Sequence, residues 1–226
     1  MDGLPIELIA ASIAFVGTHF AMSHPLRSPM VKVLGATGFM IAYSLVSAAC
    51  MAWMYFAFVA TPAGAPLWGD YGDGVWIAAS VITLVAMVLF AGSLVGNPAL
   101  PAPGAEKAAM KEPGGVFKVT RHPMMWGFAL WSVAHLIAAP TARTIVVALA
   151  IGVLALLGAH FQDRKKEVLM GDAWQQWEAK TSYWPRLGRI ASVGLIPWIG
   201  GIAIWLLASW WHAMDAGLWR LSLIHI

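Results

Sequence analysis

Six apolar stretches, each near the roughly 20 residues that a helix needs to cross hydrocarbon, constrain this chain more than any other feature. They run over Pro5–Met22, Met30–Ala60, Val75–Gly96, Val119–Ala139, Ala142–Phe161 and Arg189–Trp211. Composition points the same way: 60% of the 226 residues are hydrophobic and only 11% are charged, against about 25% charged in a typical soluble domain. Too few charges remain to solvate a globule of this size, so its surface must face lipid. The sequence therefore predicts an all-α fold, a polytopic membrane helix bundle of about six transmembrane helices. The second stretch exceeds the need and is expected to tilt or to project beyond the bilayer. The N-terminus is acidic (Asp2, Glu7) and has no basic leader region. It reads as a retained first helix rather than a removed signal peptide.

Charge is confined to the connections. His24, Arg27 and Lys32 follow the first helix, Lys107, Lys111, Lys118 and Arg121 sit in the third connection, and the fifth carries Arg164, Lys165, Lys166, Lys180, Arg186 and Arg189. The second connection has Asp70 and Asp73 without a base, and the fourth has only Arg143. The positive-inside rule then puts both termini outside the cytoplasm and the odd-numbered connections inside. A net charge of +3, spread in short clusters, suits anionic lipid headgroups and not a nucleic-acid groove. The Pro-, Ala- and Gly-rich third connection, Asn97 to Pro113, reads as a mobile or re-entrant cover. In the fifth, Gln162–Arg186, Val168, Leu169, Trp174, Trp177 and Tyr183 alternate with charges, the pattern of an amphipathic helix at the cytoplasmic interface.

The candidates for chemistry are histidines. His19, His122, His135 and His160 fall within or at the edge of apolar stretches, where a polar ring is costly unless paired. Such a ring can bond a neighbouring helix and act as glue, or offer one nitrogen to a metal while the other donates to an acceptor. The single Cys50 excludes a disulfide within the chain and CxxC metal sites. No H-E-x-x-H pair marks a zinc peptidase. Two histidines on different helices suit a haem held between them. Arg121 precedes His122 and Pro123, a proline at a helix start, and is placed to meet a phosphate or carboxylate. Asp163 and Glu167, beside Arg164 and Lys166, read as a solvated charged face. Gly35, Gly38, Ser44, Ser47 and Ala48 read as a close-packing surface on the second helix.

Val16-Gly17-Thr18-His19, Leu26-Arg27 and Tyr43–Ser47 resemble the opening of the NnrU family. The block from Arg121-His122-Pro123-Met124 through Trp126-Gly127 to Leu130–Leu136, followed by Asp163-Arg164-Lys165, Gly171, Trp174 and Thr181-Ser182, resembles the rest of it. The resemblance implies a single NnrU-like transmembrane domain over residues 1–220, linked to nitric oxide handling in denitrifying bacteria. It is similar, too, to the plant and cyanobacterial ζ-carotene isomerase, which implies haem b as cofactor and cis–trans isomerisation of a polyene lipid as an activity. His19 and His135 fall on the implied axial metal ligands, with His122 and Arg121 as further cofactor-binding candidates. His122 and His160 lie nearer to His19 in expected depth, which keeps a His19–His122 pair open. The Arg-His-Pro segment is also similar to isoprenylcysteine and phospholipid methyltransferases, which implies S-adenosylmethionine as the alternative cofactor, although Met125 stands where those enzymes carry Tyr. A haem sensor or assembly factor without turnover is a third possibility. Leu221–Ile226 reads as a non-native tail.

Overall fold

The structure is a computed structural model that describes residues 5–69, 72–101 and 103–216, with side chains to 212. The expected non-native tail lies outside the described residues. Eight α-helices and two 3₁₀ turns, with no strand among the described residues, make an all-α membrane protein: α1 Ile6–Ser23, α2 Arg27–Ala60, α3 Asp73–Ser93, α4 Ala105–Ala109, α5 Pro123–Ala138, α6 Ala142–Met170, α7 Asp172–Lys180 and α8 Leu195–Ala216. Five of them (α1, α2, α3, α6 and α8) are long and apolar enough to cross a membrane. The sixth expected crossing is α5, whose 16 residues extend about 24 Å. It begins later than the apolar pattern does because Pro123 favours a first helical turn and turns the residue before it away from α geometry.

Two other expectations change. The second stretch does not run as one long rod: at Gly35 the backbone takes φ 71° and ψ 171°, a conformation open essentially to glycine, and the helix breaks into Arg27–Leu34 and a longer apolar part. Of the small residues on this helix, Gly35, Ser44 and Ala48 are exposed and Gly38 and Ser47 are half-buried. Close approach occurs at Gly127, where an added Cβ would lie 2.9 Å from the Ala86 carbonyl, and at Gly201, 2.6 Å from Val88 Cα. Finally, α6 does not stop at Phe161 but continues to Met170, so the charged run Asp163–Glu167 is helical.

The chain divides into two compact units. The first comprises Met1–Ala79 and Trp131–Gly158. In it α1 and α2 pack antiparallel around Leu8, Ala11, Phe15, Met54 and Ala57, with Ser23 Oγ donating to Tyr43 Oη (3.4 Å) near one end and Trp53 Nε1 donating to Glu7 (3.4 Å) near the other. The α5–α6 turn is tied to the α2–α3 connection by Leu67 N–H on the Pro140 carbonyl (2.9 Å) and Arg143 Nη1 on that of Thr61 (2.9 Å).

The second unit comprises Ser80–Leu130 and Ala159–Ile226. Its core gathers Val88, Leu89, Val116, Val119, Trp174 and Trp177. The amphipathic helix expected in the fifth connection is the nine-residue α7. Its apolar face is turned into this core, with Trp174 fully buried, while Val168 and Leu169 on the preceding helix are exposed. The third connection is held in place: Lys166 Nζ donates to the carbonyls of Pro98 (2.9 Å) and Leu100 (3.3 Å), and Gln162 Nε2 to that of Ala99 (3.0 Å).

Candidate functional site

The sequence candidates separate into two kinds of site. Arg121 and His122 lie in the second unit and converge on one carboxylate, Asp163. Arg121 reaches it with both Nε (3.0 and 3.1 Å) and Nη2 (2.6 Å), a fork geometry in which both carboxylate oxygens accept. His122 Nε2 donates to Asp163 Oδ1 at 2.7 Å, and its Nδ1 lies 3.2 Å from Gln162 Oε1. Gln162 uses its NH₂ on the Ala99 carbonyl, so the oxygen facing His122 is an acceptor. Both imidazole nitrogens thus face side-chain oxygens, and the His122 side chain is fully buried.

Local sequence explains this placement. Residues 119–122 link the 3₁₀ turn at Gly115–Lys118 to the proline-started α5 and lie beside residues 182–186, with Arg121 N–H on the Ser182 carbonyl (2.8 Å) and Arg186 N–H on that of Val119 (2.9 Å). Thr120 Oγ1 donates to the Tyr183 carbonyl (2.8 Å), and Trp126 Nε1 to the same carbonyl (2.9 Å). Glu178 of α7 adds a second carboxylate 3.1 Å from Arg121 Nη2. Burial pushes the Glu178 carboxyl up from its ordinary value, against the pull of Arg121. Burial likewise raises the Tyr183 phenol, whose ring lies 5.5 Å from the Arg121 guanidinium.

Sequence reasoning missed Asp163, Lys166 and Glu178 as members of a network. Asp163 and Lys166 are among the few buried charged residues, at 6% and 7% exposure. On α6 Lys166 stands one turn beyond both Gln162 and Asp163, so a reading of that run as helix rather than loop would have put all three on one side of it. His160, the fourth candidate histidine, is exposed and lies edge-on to Phe161.

His19 and His135 belong to the first unit. His19 Nδ1 is 2.7 Å from the Phe15 carbonyl, and His135 Nδ1 is 2.8 Å from the Trp131 carbonyl. A carbonyl can only accept, so Nδ1 carries the hydrogen in both rings, and in the neutral imidazole the lone pair is then on Nε2. Exposed His212 makes the same bond to Ala208. What distinguishes the other two is half-burial against aromatic rings. His19 lies 4.4 Å from Phe15 and edge-on to Tyr43 at 5.4 Å, and His135 lies 3.9 Å from Trp131. A metal-bound histidine that gives its second N–H to a backbone carbonyl is fixed in orientation and made more basic. The donor set therefore fits a haem iron, which takes its equatorial donors from the porphyrin and needs only axial ligands from the protein. Among the described residues no group of three or more His, Cys, Asp or Glu could hold a bare ion.

No curated protein matches the chain, and no solved structure does. The model of the family described as NnrU protein matches residues 7–219. That match spans both units and every residue considered above, and the chain belongs to the NnrU family.

Proposed function

We propose that this protein binds haem b in the membrane, with His19 and His135 as the axial ligands. The observation that carries the reading is the shared orientation of the two rings: each gives Nδ1–H to a carbonyl one turn back on its own helix, which makes Nε2 the nitrogen that would ligate. Both sit in the same compact unit, between aromatic side chains that would wall an apolar macrocycle. Bound there, the haem supplies a redox-active iron for nitric oxide-linked chemistry or for cis–trans isomerisation of a polyene lipid. The protein's own part is to orient the imidazoles and to keep the site in a lipid-facing, water-poor helix environment. The loop charges support an orientation with both termini outside the cytoplasm, and family membership supports a bacterial inner membrane as its place.

The pairing of His19 with His122 is less favoured, because both nitrogens of His122 already face side-chain oxygens. The methyltransferase reading is likewise less favoured, because Arg121 of the Arg-His-Pro segment is already paired with Asp163 and Glu178. The test is an absorption spectrum of detergent-purified protein made with ample haem supply, oxidised and reduced. A Soret band with low-spin bands on reduction is expected. A colourless preparation that binds S-adenosylmethionine would replace this reading with the methyltransferase one. Haem without turnover of any polyene or nitric oxide would identify a sensor or assembly factor.

A further inference from the structure

Arg27 is joined to His19 through a continuous series of ring contacts. The His19 ring meets Tyr43 edge-on at 5.4 Å, Tyr43 lies 5.9 Å from Phe39, and the Arg27 guanidinium carbon lies 5.7 Å from the Phe39 ring centre. Ser23 Oγ, between them in sequence, donates to Tyr43 Oη at 3.4 Å. Along one unbroken helix Arg27 and Phe39 would be separated by about 18 Å of axial rise. The glycine-only backbone at Gly35 is what allows the Arg27–Leu34 segment to carry the cation back over that ring.

This guanidinium is half-buried, stacked on an aromatic face, and has no carboxylate within ion-pair distance among the described residues. It contrasts with Arg121, whose charge is met by two carboxylates. A planar fork of N–H donors in a partly desolvated place matches a two-oxygen anion. A haem carboxylate arm and a lipid phosphate share that chemistry. The apolar wall of Tyr43 and Phe39, leading from an iron-ligating ring to the cation, fits a flat macrocycle with acidic groups on one edge. We propose that Arg27 anchors a propionate of the haem whose iron His19 ligates, an inference that rests on the haem reading above.

The experiment measures transfer of haem from the full-length holoprotein in nanodiscs to excess apomyoglobin. Wild type, Arg27→Gln and Arg27→Lys are each loaded with native haem or with its dimethyl ester. With native haem, Arg27→Gln should release it roughly tenfold faster or more, the scale of one lost charge-assisted bond, with an unshifted Soret band. Arg27→Lys should recover most of the retention. With the ester, wild type and Arg27→Gln should release at the same rate. Equal release of native haem, or a defect that persists with the ester, overturns the proposal. A defect that appears only in phosphatidylglycerol nanodiscs and not in phosphatidylcholine ones also overturns it, in favour of a lipid phosphate. Absence of a Soret band from wild type removes the haem reading itself, a result distinct from all of these.

Discussion

The two units use histidine in opposite ways. In the first, His19 and His135 give Nδ1–H to carbonyls of their own helices, so ring orientation is set within one turn of chain. In the second, His122 directs both nitrogens to side chains about 40 residues away in sequence. There the ring ties α6 to the segment entering α5, beside an arginine that shares its carboxylate. A ring bonded locally can still ligate, whereas one spent on two distant acceptors holds the chain together. The contrast extends to the arginines, one stacked on a phenyl ring and one saturated by carboxylates.

The largest effect that can break this comparison is on haem. His19→Ala and His135→Ala should each abolish or greatly weaken retention, because one remaining imidazole leaves an open axial position. His122→Ala and His160→Ala should leave the spectrum of the folded protein unchanged. Loss of the Soret band in His122→Ala, with His135→Ala unaffected, would reverse the roles of the two units.

Next in size is stability. Asp163→Ala leaves Arg121 and His122 without their shared carboxylate, and breaking a buried pair on one side costs about 3–5 kcal/mol. Thermal or denaturant unfolding in detergent should show that loss, while the haem band per folded molecule stays where it was. A loss below about 1 kcal/mol, the level of a surface ion pair, would mean that the network is solvated and not structural.

The smallest effect sharpens the account of the second unit through pH. The folded-state Glu178 carboxyl holds its proton to higher pH than in the unfolded chain. Its contribution therefore favours folding below the ordinary Glu range and is lost as pH rises through the raised value. Glu178→Gln cannot titrate, so its stability relative to wild type should increase over that window. Parallel stability curves for the two proteins across mildly acidic pH would show that burial does not dominate at Glu178.

Much of the membrane architecture was legible in the sequence, because a spanning segment must satisfy its backbone locally and announce itself as a long apolar run. The late start of α5 was foreshadowed by Pro123, although the apolar pattern alone began at Val119. The break at Gly35 was not legible, since a glycine within a helical pattern reads equally well as a packing residue. The convergence on Asp163 was hidden for another reason. Its carboxylate meets residues that lie 41 and 42 positions earlier in the chain, and no periodicity records such a meeting.

Sequence by itself determined the fold class, the all-α crossing segments, the family and the four candidate histidines, each of which follows from local composition or motif. Tertiary structure decided what each of those rings faces. At His19 and His135 the helix supplies the acceptor one turn back, whereas at His122 two acceptors arrive from the end of α6. Burial makes that arrangement binding: a polar ring cut off from water must take whatever partners folding brings to it, and those partners then determine what chemistry is left.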